Sequence, residues 1–162
     1  MDIDLLARKA KEKAKENQKY FEKLKKRLPK NLDQTMQAIH EEVFEKTDCL
    51  ACANCCKTTS PVFTQKDIES IAHFLRIRPA ELVENYLKID QDNDFVLKSS
   101  PCVFLDEQNY CKIYEARPKA CRGYPHTDRK NFHTLFGITQ KNVPICPAAY
   151  EMVEKLKKIC PV

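Results

Sequence analysis

Residues 48–57 read DCLACANCCK, so four thiols, Cys49, Cys52, Cys55 and Cys56, fall within eight positions. Thiolate is a soft anionic ligand that suits zinc and iron–sulfur clusters better than magnesium or calcium. A CxxC step lets two sulfurs reach one metal, and here two steps are chained, with Cys56 added directly after. Read as a loop, Cys49, Cys52 and Cys55 resemble the CxxCxxC run that holds one part of a [4Fe–4S] cluster. Read as a helix, Cys49, Cys52 and Cys56 form a narrow stripe with Cys55 at its edge. Both geometries are open. Neighbouring side chains diverge by about 100° on a helix and point oppositely on a strand. Cys55 and Cys56 are therefore expected to face different partners, and distant thiols must complete the site or sites.

Those thiols exist. Cys102 opens CVFLD, Cys111 lies in YCKIY, Cys121 in KACRGYP and Cys146 in PICPAAY, with Cys160 a spare near the end. Eight ligands can serve two tetrahedral zinc ions, one [4Fe–4S] cluster with four thiols over, or two clusters. Nine cysteines cannot all be used in internal pairs, and no apolar secretory segment opens the chain, so a cytoplasmic metal-binding protein is expected. No run of 18 apolar residues signals a membrane span. With only Gly123 and Gly137, neither GxGxxG nor GxxxxGK can be written, which excludes nucleotide binding by those loops.

The net charge of +5 is concentrated at the start, where residues 1–30 carry eleven Lys/Arg against five Asp/Glu. This basic segment spaces Ile3, Leu6, Ala10, Phe21, Leu24 and Leu28 as one apolar stripe, predicting a long helix ended by Pro29. A second helix, capped by Asn31 or Asp33, carries Met36, Ile39, Val43 and Phe44. Together they predict a basic amphipathic helical hairpin over 1–46, packed on a cysteine-cluster domain over 47–162. The hairpin offers a surface to a protein partner. No aromatic-interleaved basic platform supports nucleic-acid binding.

Thr64 with Asp67 reads as a capping box, ahead of Ile68, Ile71, Ala72 and Leu75 on one face. Pro79 suits a first helical position in PAELVENYL, and Phe95-Val96-Leu97 reads as a short strand. CVFLD and YCKIY predict a small hairpin around Glu107-Gln108-Asn109; EARPKACR predicts a helical turn, and a last helix starts near residue 146. The fold class is mainly α with a small β-hairpin: a helical hairpin plus a compact cysteine-clustered core.

These residues resemble the YkgJ-type CxxCxxCC cysteine-cluster family, whose domain is described as zinc- or iron-chelating. The match rests on Cys49, Cys52, Cys55 and Cys56, on PCVFL with Cys102, and on CKIYEARPKACR with Cys111, Ile113, Tyr114, Arg117, Pro118, Cys121 and Arg122, followed by Tyr124-Pro125. It implies ligation by these seven cysteines; Cys146, outside those motifs, is the eighth candidate. Similar domains occur in much longer flagellin lysine methylases, where a cluster supports methyl transfer from S-adenosylmethionine. The resemblance therefore leaves a redox or methyltransferase-related role beside plain metal binding.

No Ser/His/Asp set, paired carboxylates or CxxxCxxC spacing points to a catalytic site. Arg117 and Arg122, flanking Cys121, are candidate donors around the thiolates, with local carbonyl capping or a Glu115 pair as the plainer alternative. His126 is a possible ligand but reads first as a hydrogen-bonded surface group. His40, His73 and His133 lack clustered partners in the sequence.

Overall fold

The computed structural model describes residues 2–162. In chain order it forms α1 (Ile3–Lys26), α2 (Leu32–Phe44), α3 (Cys49–Cys52), α4 (Asn54–Thr58), α5 (Gln65–Leu75) and α6 (Pro79–Tyr86). Strands β1 (Leu87–Ile89) and β2 (Phe95–Leu97) follow, then α7 (Lys119–Arg122), α8 (Phe136–Asn142) and α9 (Pro147–Ile159). The chain is mainly α with one two-stranded antiparallel sheet, as expected. Among the described residues no helix is long and apolar enough to cross a membrane. Two compact units emerge, one of residues 1–48 with 125–162 and the other of residues 49–124.

In the first unit α9 packs with α1 and α2. Leu6, Ala10, Phe21 and Leu24 of α1 are buried, as are Met36, Ile39 and Val43 of α2 and Met152, Val153 and Leu156 of α9. Burying each large aliphatic side chain stabilises by about 1.5–3 kcal/mol. Leu28 differs from the expected stripe, because α1 ends at Lys26 and leaves it exposed. Tyr20 takes a place on the buried face and donates from its hydroxyl to the carbonyls of Leu156 (3.2 Å) and Cys160 (2.9 Å), at the C-terminal end of α9. Asn31 precedes α2 without a side-chain cap, and Asp33 accepts instead from the N–H groups of Asn131 (2.7 Å) and Phe132 (3.0 Å).

The second unit gathers Phe63, Ile68, Ile71, Leu82, Leu87, Leu97, Phe104 and Ile113 into its own core, with Cys102 and Cys111 packed against the edge. The capping box of Thr64 and Asp67 opens α5 as anticipated, and Pro79 opens α6. Leu87 leaves the helix in extended conformation, so β1 pairs with β2 in register Leu87–Leu97, Lys88–Val96 and Ile89–Phe95. The predicted hairpin of CVFLD and YCKIY shrinks to one bridge between Leu105 and Cys111. A turn from the Leu105 N–H to the Cys102 carbonyl (3.0 Å) precedes the bridge. A 3₁₀ turn at Tyr114–Ala116 begins soon after it, leaving no length for a ladder.

Candidate metal centre

The cysteine-rich segment is neither one loop nor one helix. Ala53 adopts the left-handed conformation (φ 46°, ψ 17°) between α3 and α4, so Cys49 and Cys52 sit on one short turn and Cys55 and Cys56 on the next. The Ala53 N–H closes α3 on the Cys49 carbonyl (2.8 Å), and the Thr58 and Thr59 hydroxyls donate to the Asn54 and Cys55 carbonyls (both 2.7 Å) at the end of α4.

Three distant segments carry the other cysteines of this unit and are tied to α4, α3 and α5 in turn. The Cys102 N–H donates to the Cys56 carbonyl at 2.9 Å. Cys111 follows a loop shaped by Asp106, whose Oδ1 accepts from the N–H groups of Gln108 (2.9 Å) and Tyr110 (2.7 Å). At the loop tip Asn109, itself left-handed, donates from Nδ2 to the Leu50 carbonyl at 2.7 Å and ties this loop to α3. Cys121 lies in α7, whose first residue, Lys119, donates its N–H to Asp67 Oδ1 at 3.0 Å.

Electrostatics links four of the thiols of this unit. Cys56 is brought down to about 7 by a hydrogen bond with Cys55, against the effect of burial and with help from Lys57. Cys102 is raised by burial and by the nearby Cys56 and Cys111, while the N–H groups of Phe104 and Leu105 pull the other way. Burial also raises Cys111, opposed by the Ile113 N–H and the Arg117 charge. Cys121 is pushed up to about 12 by burial of its sulfur and by Cys56, Cys102 and Cys111 together. One side of this residue nevertheless remains open to solvent. The charge of Cys56 bears on all three distant thiols, Cys102, Cys111 and Cys121, and Cys55 is joined to it by the hydrogen bond between the two side chains.

Like charges at such a site oppose simultaneous ionisation, and a bound cation relieves that repulsion. Backbone N–H groups directed at Cys102 and Cys111 favour anionic sulfur. The donor chemistry therefore fits a thiophilic metal or cluster. None of the nine cysteines is disulfide-bonded. Among the described residues, no three His, Cys, Asp or Glu side chains already converge on one point as ligands of a single ion.

The other candidates are placed differently. Arg117 Nη1 donates to the Tyr114 carbonyl (3.1 Å), and its guanidinium lies 3.7 Å over the Tyr114 ring. Arg122 Nη1 donates to the Arg117 carbonyl at 2.8 Å. Cys146 belongs to the first unit, where it precedes α9 and its sulfur accepts from the Ala149 N–H at 3.5 Å. Cys160 ends α9, and its thiol is raised by burial. His126 is half-buried with left-handed backbone, and burial lowers its pKa. Sequence reading missed the second contact of Asp67 and the tie from Asn109 to Leu50; each joins residues more than 50 positions apart, beyond any local pattern.

Comparison with known proteins agrees with this chemistry. Residues 48–161 match the family model CxxCxxCC, described as a "Putative zinc- or iron-chelating domain". The chain is similar to the uncharacterized protein MJ0661 of Methanocaldococcus jannaschii, with 35% identity over 82 residues covering 49% of this chain. The match spans 44% of that relative, less than half its length. No solved structure matches the chain. Since the family model spans well over half of the sequence and takes in all nine cysteines, the chain belongs to the CxxCxxCC family of zinc- or iron-chelating domains.

Proposed function

We propose that Cys56, Cys102, Cys111 and Cys121 hold an iron–sulfur cluster of the [4Fe–4S] type, and that the chain serves as an accessory redox or electron-transfer module. The observation that carries this reading is the gathering of seven cysteines in one compact unit, where the Cys102 N–H bonds the Cys56 carbonyl and the Asn109 loop before Cys111 is tied to Leu50 between Cys49 and Cys52. A cubane spreads its thiolate ligands wider than a single ion does. The tandem CxxCxxC run and the surplus of thiols in this unit suit such a cluster. Cys49, Cys52 and Cys55 lie on the adjoining turns and are the remaining candidate thiols of this unit.

Zinc is the second reading. It is favoured by the turns at Cys102 and Cys111, in which following N–H groups point at the sulfur and stabilise the thiolate in a closed four-cysteine site. The lysine-rich outer face of α1 offers a surface to an acidic protein partner. A disulfide-free, thiol-rich chain suits a reducing compartment such as the cytoplasm.

Anaerobic purification tests the assignment. A brown protein absorbing near about 400 nm, with iron and acid-labile sulfide, supports the cluster. A colourless protein with stoichiometric zinc supports the second reading. Protein carrying neither metal, and taking up neither on reconstitution, contradicts both.

A further inference from the structure

A cleft of about 460 Å³ opens in the first unit, lined by the α1–α2 connection and the start of α2 together with residues 128–133. Its volume falls in the range of about 300–1,000 Å³ usual for small-molecule sites. Asp33 joins the two linings, because its carboxylate oxygens accept from the N–H groups of Asn131 (2.7 Å) and Phe132 (3.0 Å). Phe132 is fully buried and anchors its segment in the core. The cleft is therefore built into the fold.

Its lining carries an excess of positive charge. Lys30, Arg129 and Lys130 all face it, and the salt bridges of the described residues engage other side chains. Of its two carboxylates, Asp33 is already turned to backbone N–H groups, which leaves Asp128 to offset one cation. His133 adds an imidazole N–H. Beside these groups Leu28 is 41% exposed and offers an apolar surface to a ligand's carbon skeleton.

We propose that this cleft binds a small organic phosphate, a phosphomonoester whose carbon skeleton rests on Leu28. Such a group carries a charge of about −1.5 to −2 at pH 7 and three acceptor oxygens. It suits the two cations left over and the planar fork of Arg129. A carboxylate would match only one of them. All the lining residues belong to the first unit, so phosphate binding here is independent of the metal-binding reading above.

The test titrates the full isotope-labelled chain with phenyl phosphate and follows backbone amides by NMR, with inorganic phosphate and benzyl alcohol as partial ligands. Phenyl phosphate should shift the amides that line the cleft and saturate with a Kd of about 1 mM or below. Inorganic phosphate should move the same amides with weaker affinity, and benzyl alcohol should move none. Arg129→Gln combined with Lys130→Gln should weaken phenyl phosphate about tenfold. Leu28→Ala should erase its advantage over inorganic phosphate.

Cleft amides left unmoved by about 10 mM phenyl phosphate overturn the proposal. So does binding by the double variant within about twofold of wild type, or shifts spread along the lysines of α1, which mark adsorption to a charged surface. Arg129 and Lys130 are exposed, so the double variant should fold, and its amide spectrum away from the cleft checks this. If it does not fold, Lys30→Gln carries the same comparison. Inorganic phosphate binding as tightly as phenyl phosphate overturns the assignment to an organic ligand.

Discussion

Asp67 and Lys119 lie 52 residues apart, and the Lys119 N–H donates to Asp67 Oδ1 at 3.0 Å. The other carboxylate oxygen of Asp67 accepts from the Thr64 N–H (3.0 Å) and from the Thr64 hydroxyl (2.6 Å). One side chain thus serves the starts of two helices, α5 and the short α7 that carries Cys121. This contact ties α7, and with it Cys121, to α5 and the apolar core of the second unit.

Asp67→Ala leaves the Thr64 and Lys119 N–H groups without their acceptor and is expected to cost about 2 kcal/mol, measured by urea unfolding followed by circular dichroism. Burial opposes the charged form of Asp67, but the Thr64 and Lys119 hydrogen bonds and the Arg122 charge outweigh it and hold the carboxyl below its ordinary 3.8. A depressed carboxyl contributes stability that is present above the unfolded value and lost as pH falls through the folded one. The stability gap between wild type and Asp67→Asn should therefore be full above about pH 5 and close as the solution is acidified below about 4. A gap that persists undiminished at low pH contradicts the ionic role.

Ala53 sets the break between α3 and α4. A left-handed residue with a Cβ costs about 1–2 kcal/mol, whereas the buried Ala53 methyl returns up to about 0.8 kcal/mol. Ala53→Gly relieves the first and forfeits the second, and also frees the unfolded chain, so it should melt within about 1 kcal/mol of wild type. Ala53→Val places a branched Cβ in that conformation and should cost about 2 kcal/mol or more. Equal melting temperatures for Gly and Val variants would contradict a break at this residue.

Cys146 gives a contrasting case. Its sulfur is a weak acceptor at the start of α9, a position where serine is favoured. Cys146→Ser should keep the full metal content and melt no lower than wild type by differential scanning calorimetry. Loss of metal in this variant would assign Cys146 to the centre.

Much of the framework is legible in the sequence because it is local. The stripe Leu6–Ala10–Phe21–Leu24, the Thr64–Asp67 capping box and Pro79 each act within a few residues, and each directs the element expected of it. Elements decided by distant contacts are less legible. β1 exists because Leu87 to Ile89 find a partner in Phe95 to Leu97, whereas the CVFLD and YCKIY pair is cut short by flanking turns. The backbone course at Cys56 likewise depends on a left-handed Ala53 and on the Cys102 N–H bond to its carbonyl, which spacing alone cannot specify.

Metal content of single cysteine variants tests the central claim most directly. Wild type, Cys56→Ser, Cys102→Ser, Cys111→Ser, Cys121→Ser and Cys160→Ser are purified anaerobically side by side, and iron, sulfide and zinc are measured per chain. Cys160→Ser should match wild type, and each of the other four should lose most of its metal. A folded variant of Cys56, Cys102, Cys111 or Cys121 that keeps wild-type metal content and the wild-type spectrum would contradict the four-thiol centre.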